Sequence, residues 1–168
     1  FFARTIDMDL NVAQTCMMAA AKHKGTAVIE FLVNCVIFND GAHRYLSEKV
    51  TREDRTIFLE DGKKMIFGKE KNKGLVLDGL NLKVVTIGAD GITEDDILLH
   101  DAQCEDPTLQ LKLAYMAAPE FPVAVGIIRD VVAPTYNDGV VKQIEEVQAK
   151  SKIKSFDELI DSLEQWEM

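Results

Sequence analysis

Three cysteines and three histidines carry most of the chemical potential of this 168-residue chain. Cys35 is the most informative of them. It lies in Thr26–Gly41, TAVIEFLVNCVIFNDG, where the β-type apolar run Val28, Ile29, Phe31, Leu32, Val33 gives way to Asn34 and then the thiol. A cysteine where a strand meets a loop is inert packing, a metal ligand or a nucleophile, and taken alone the packing reading is the commoner one. His100, Asp101 and Cys104 superficially offer a base, an orienter and a thiol. Such triads are assembled in space, and close sequence neighbours rarely reach the required geometry, so an acidic surface loop with an incidental cysteine is favoured. Metal binding by the chain alone lacks a CxxC or HxxxH pair. His23 reads as a helix-end cation, His43 as a solvated loop residue and Cys16 as a small hydrophobe. Glu94-Asp95-Asp96 reads as a helix start, because it lacks the alternating oxygen ligands of a calcium loop. Gly88-Ala89-Asp90-Gly91 lacks the lysine and following helix of a phosphate cradle.

The elements that position these residues follow from periodicity and caps. Residues 2–6 form a strand. Asp9 caps a helix with Leu10, Ala13, Met17 and Ala20 or Ala21 on its apolar side, ending at His23-Lys24 with Gly25 as a left-handed stop. The apolar run 26–33 reads as a parallel strand buried on both faces. Strand, helix, strand with tight links is a βαβ unit, which puts Cys35 at the C-terminal edge of a parallel sheet, where α/β folds hold ligands. Residues 44–56 are charged, with a short helix. Ile57 to Gly68 reads as a hairpin around Asp61-Gly62, and 69–74 as a polar turn. Leu75–Leu77 and Leu82–Ile87 form strands joined at Asp78-Gly79. Asp106-Pro107 opens a helix with Leu109, Leu113, Met116 and Ala117 inward. Val123–Ile128 is a strand, and Asn137 or Asp138 begins a helix. Ser155 and Glu158 form a capping box for a last helix with the stripe Phe156, Leu159, Ile160, Leu163, Trp166.

Composition bounds the rest. A hydrophobic content of 47% supports a folded core, and the length suits one domain or a piece of a larger one. A net charge of -9 argues against nucleic acid or anionic membrane as partner, and no apolar run approaches a membrane helix. The odd, widely spaced cysteines fit a reducing compartment, hence a cytoplasmic setting. The chain opens on Phe1-Phe2-Ala3-Arg4 as a strand already under way and with no leader pattern, which suggests a piece of a longer polypeptide.

Several words in the chain are longer and more specific than any of these signals. His23-Lys24-Gly25-Thr26 precedes the strand, and Asn34-Cys35-Val36-Ile37-Phe38-Asn39-Asp40-Gly41 follows it. Phe67-Gly68-Lys69, Leu77-Asp78-Gly79, Ile92 to Asp101, Asp106-Pro107-Thr108-Leu109, Phe121-Pro122-Val123 to Arg129 and Pro134-Thr135-Tyr136 come after in order. Together, over roughly residues 3 to 138, they resemble the β subunit of 2-oxoacid:ferredoxin oxidoreductases. The resemblance implies the βαβ end of a thiamine-diphosphate-binding fold over 1–41, followed by an irregular α+β C-terminal region over 42–168. It implies a complete enzyme that decarboxylates a 2-oxoacid oxidatively, with 2-oxoglutarate favoured over pyruvate. The acyl group goes to coenzyme A and the electrons pass to ferredoxin. Thiamine diphosphate, Mg2+ and a 4Fe-4S cluster would be its cofactors, and an α subunit its partner. By the resemblance Cys35 is the fourth cluster thiolate. The family's Cys-Pro-Gly-Cys and Gly-Asp-Gly-Asp words are absent, so this chain alone is expected to hold neither cluster nor thiamine diphosphate, to be inactive, and to expose apolar surface through which it self-associates. The alternative reading is a non-catalytic interaction or assembly module.

Overall fold

The computed structural model describes residues 1–162, arranged as two compact units, Phe1–Ala133 and one beginning at Pro134. The first unit is α/β. Strand β1 (Phe2–Ile6), helix α1 (Leu10–Lys22) and strand β2 (Val28–Leu32) make the expected βαβ, with β1 and β2 parallel from Phe2↔Val28 to Ile6↔Leu32. Helices α2 (Arg44–Ser47) and α3 (Lys49–Arg55) lead into β3 (Thr56–Leu59). Strands β4 (Ile66–Phe67), β5 (Lys73–Asp78) and β6 (Asn81–Thr86) come next, then a 3-10 turn at Glu94–Asp96, helix α4 (Thr108–Tyr115) and strand β7 (Val123–Arg129).

One sheet has the order β2-β1-β7-β3, with β7 antiparallel to β1 and parallel to β3; a second has the order β4-β5-β6. The larger sheet thus takes strands from both sides of residue 41. Ile57, Leu59, Met65, Phe67, Leu75, Val85, Ile97 and Leu113 form one continuous buried cluster that joins the two sheets.

The structure corrects several expectations. Ile57 to Gly68 is not a hairpin. β3 pairs with β7 and β4 with β5, and Gly62 instead donates its amide to the His100 carbonyl while Asp61 accepts from the Ala102 amide. β2 is an edge strand, not a strand buried on both faces: Val28 and Phe31 are exposed. In α1 the Asp9 cap is present, its carboxylate accepting from the Val12 amide at 3.2 Å. The buried face, however, is Ala13 and Cys16; Leu10 and Met17 are exposed. The reason lies in β1. Phe2 and Arg4 point toward α4, where Arg4 donates to the Ala114 carbonyl, so Ala3 and Thr5 face α1, and small side chains on both sides bring helix and sheet close together. In α4, Gln110 takes an inward place and Ala117 is exposed.

The second unit contains α5 (Tyr136–Lys150) and α6 (Phe156–Asp161). α5 starts one residue earlier than its sequence suggests, because Thr135 accepts from the Asp138 amide and Asp138 answers at the Thr135 amide. Ser155 caps α6 as expected, but the Glu158 carboxylate accepts from the Lys154 amide. The expected stripe positions Leu163 and Trp166 lie outside the described residues.

Three surface carboxyls are held below the usual carboxylate range. The Lys73 ammonium bonds Asp54, the Thr93 amide and hydroxyl bond Asp96, and the Thr108 hydroxyl and amide bond Asp106. A depressed folded-state pKa stabilises above the unfolded value, and that contribution is lost as pH falls through the folded one. Thermal melts should therefore show an acid limb beginning below about pH 4. The limb should shrink in the double variant Asp96→Asn, Asp106→Asn; an unchanged limb would show that these bonds contribute nothing.

Candidate functional site

The C-terminal ends of β1 and β2 meet at one edge of the larger sheet, where the Asp7 amide donates to the Leu32 carbonyl and the Asp9 amide to the Ile6 carbonyl. Three residues past β2 the chain turns through Cys35. The Asn39 amide donates to the Cys35 carbonyl at 3.0 Å and closes the turn. Outside it, Asn34 Nδ2 donates to Asp40 Oδ1 at 2.9 Å and Asn34 Oδ1 accepts from the Gly41 amide at 2.8 Å. Gly41 adopts φ +79°, a conformation that glycine adopts freely.

The half-buried Cys35 sulfur faces the backbone amides of Phe38, Ile37 and Asn39, which hold its thiol below the ordinary range against a smaller opposing effect of desolvation. A ring of amides stabilises sulfur carrying negative charge, whether free thiolate or metal-bound. By contrast, burial pushes the Cys16 thiol up, in keeping with its reading as a packed hydrophobe.

The other candidates are not brought together. His100 is buried and donates through Nε2 to the Ile127 carbonyl at 2.8 Å, while Asp101 accepts from the Gln103 amide, so neither is engaged with the exposed Cys104. The 94–96 acids form the expected short helical start, with Asp96 capping Thr93. The His23 side chain is buried, with Nδ1 2.7 Å from Asp130 Oδ1, which ties the end of α1 to the end of β7. His43 is half-buried with an unpartnered Nδ1 and is not the solvated residue expected. Among the described residues no three His, Cys, Asp or Glu side chains are grouped to hold a metal. A lone thiolate in such a turn suits an iron–sulfur cluster only as one member of a larger ligand set.

Sequence reasoning missed the Asn34–Asp40 pairing. Its signal was present in the Asn-Asp-Gly end of the loop, but which residue Asp40 would hold required the loop's closure.

The surface around this loop is apolar. Val36, Ile37 and Phe38 are 74%, 82% and 91% exposed. The strip continues through Val33 and Phe31, while Val28 is exposed on the opposite face of β2. Leu10 and Met17 extend it. Thr15 and Cys16 of α1 line a 220 Å³ cavity with Phe58, Gly126 and Ile127 on the β3 side, so Leu10 and Met17, on the opposite flank of the helix, lie on the β2 side. An unprotected edge strand flanked by such a patch favours association. The chain should sediment as a dimer or larger species, shifting toward monomer in Phe31→Lys. A monomer at all concentrations would contradict this.

The chain that carries this edge, with its βαβ unit and its cysteine turn, is similar to a subunit of a 2-oxoacid oxidoreductase. The particular match is the 2-oxoglutarate oxidoreductase subunit KorB of Mycobacterium tuberculosis (strain ATCC 25618 / H37Rv), to which the chain is 34% identical over 145 residues. That alignment takes in 86% of this chain and 38% of KorB, so the chain spans well under half the length of the curated relative it matches. No protein-family model and no solved structure matches the chain. Among the described residues no helix is long and apolar enough to cross a membrane.

Proposed function

We propose that this chain is part of the β subunit of a 2-oxoacid:ferredoxin oxidoreductase and that Cys35 is one thiolate ligand of its 4Fe-4S cluster. The observation that carries this is the Cys35 turn, in which three backbone amides face a half-buried sulfur at the C-terminal edge of parallel strands, in a chain related to such a subunit. When bound, the cluster supplies one-electron transfer. The chain's own contribution is to hold one ligand, to temper its charge with amide N–H groups, and to line its surroundings with Val36, Ile37 and Phe38, which lower solvent access once covered.

In this reading residues 1–41 complete a thiamine-diphosphate-binding domain and 42–168 form the C-terminal region. The rest of the enzyme supplies thiamine diphosphate, Mg2+ and the remaining cluster ligands. An α subunit, coenzyme A and ferredoxin take part in a cytoplasmic reaction. The relative is a 2-oxoglutarate oxidoreductase subunit, which favours 2-oxoglutarate over pyruvate. The chain by itself holds no cluster and turns over nothing. Intact mass and the visible spectrum of the natural protein containing this sequence test the proposal. A longer or multi-subunit species with iron–sulfur absorption, bleached by 2-oxoglutarate and coenzyme A, is expected. A colourless protein with no such partner would overturn it.

A further inference from the structure

The pairing outside the Cys35 turn does not belong to the secondary structure. Asn34 spends both ends of its side-chain amide on one loop, donating to Asp40 and accepting from the Gly41 amide. The two partners fix the orientation of the amide, since a carboxylate only accepts and a backbone N–H only donates. The staple therefore spans the whole turn and encloses the three amides that face the sulfur. Inside it, the Asn39 amide donates to the Cys35 carbonyl and closes the turn. Val36, Ile37 and Phe38 are too exposed to hold the loop by packing.

We propose that Asn34, acting with Asp40, is the positioning residue for Cys35: it holds loop 34–41 in its ligand-ready shape before any metal binds. This rests on the reading of Cys35 as a cluster ligand. The staple is solvent-exposed, and each such bond adds little to global stability. Its effect is local order of the turn, not the stability of the sheet, and the two are separable by measurement.

The test uses hydrogen exchange of backbone amides in the chain, followed by NMR, with thermal unfolding alongside. Asn34→Ala should speed exchange of the Gly41 amide about fivefold, the change expected for one lost bond of ordinary strength. It should also move the Cys35 Cβ resonance and leave the unfolding midpoint in place. Asn34→Asp alone should also move the Cys35 Cβ resonance, because the donor to Asp40 is lost and two carboxylates then repel across the turn, although an acceptor for the Gly41 amide remains. The exchanged pair Asn34→Asp, Asp40→Asn keeps a donor opposite a carboxylate and an acceptor for the Gly41 amide, so it should restore both readouts. Unchanged exchange in Asn34→Ala, or failure of the exchanged pair to restore it, would overturn the proposal. If Asn34→Ala unfolds the chain, Asp40→Ala, which removes the acceptor of the Asn34 amide, carries the same test. In the complete enzyme, iron retained after Cys35→Ser would sink the ligand reading without touching the exchange result.

Discussion

Gly126→Ala should be the most damaging single substitution in the sheet. Gly126 sits near the middle of β7, opposite Arg4 of β1 and Leu59 of β3. Its φ is +100°, and an added Cβ would lie 2.5 Å from the Leu59 carbonyl oxygen and 3.2 Å from the Phe58 ring. The first contact is with backbone in a paired strand, which cannot rotate away, and the dihedral is one that residues with a Cβ rarely adopt. Strain and overpacking together should cost about 3 kcal/mol or more. That is a large part of the roughly 5–15 kcal/mol available to a domain. Gly62→Ala is the internal control. Its φ is +72° with nothing within 4 Å of the added Cβ, so only the dihedral cost of about 1–2 kcal/mol applies. Urea unfolding should show Gly126→Ala far below Gly62→Ala; equal midpoints would show that β7 and β3 separate easily.

What the sequence made legible was local. β1, β7 and the β5–β6 turn at Asp78-Gly79 follow from short-range pattern, and the Asp9 and Ser155 caps from side chains beside their own helices. The misreadings were of tertiary surroundings. Asp61-Gly62 has the chemistry of a hairpin turn, yet β3 takes β7, far along the chain, as its partner. The apolar run of β2 looks the same whether it is central or at an edge, and only the sheet order reveals the free side. In α1 the large apolar residues suggested the buried stripe, whereas close packing against Ala3 and Thr5 selected Ala13 and Cys16. Of the candidate site, the rim position of Cys35 was readable from the βαβ pattern. The Asn34 staple and the amides around the sulfur were not, because both depend on how the loop closes.

The same geometry places an apolar edge beside the Cys35 thiol. An edge strand with Phe31 exposed on the α1 side near Leu10 and Met17, and Val28 exposed on its other face, is costly to leave in water. A cluster ligand at that edge would be shielded by whatever covers the strip, and burial there would set solvent access to the sulfur. Ligand and apolar rim thus fit one account, in which this surface is interior to a larger assembly.

Replacement of Cys35 by serine in the complete enzyme addresses that account directly. Serine matches the side chain in size and leaves the Asn34 staple and the Asn39 bond intact, so the fold and the subunit contacts should survive. A hydroxyl is a poor substitute for a thiolate at iron, and a cluster of this kind takes four cysteine ligands. Cys104→Ser, at an exposed loop with no part in the site, is the matched control. Iron content and the low-temperature electron paramagnetic resonance of the reduced protein form one measurement. The account predicts that the cluster signal is lost or changed to that of a three-iron species in Cys35→Ser and kept in Cys104→Ser. A Cys35→Ser enzyme with full iron and an unaltered signal would contradict it.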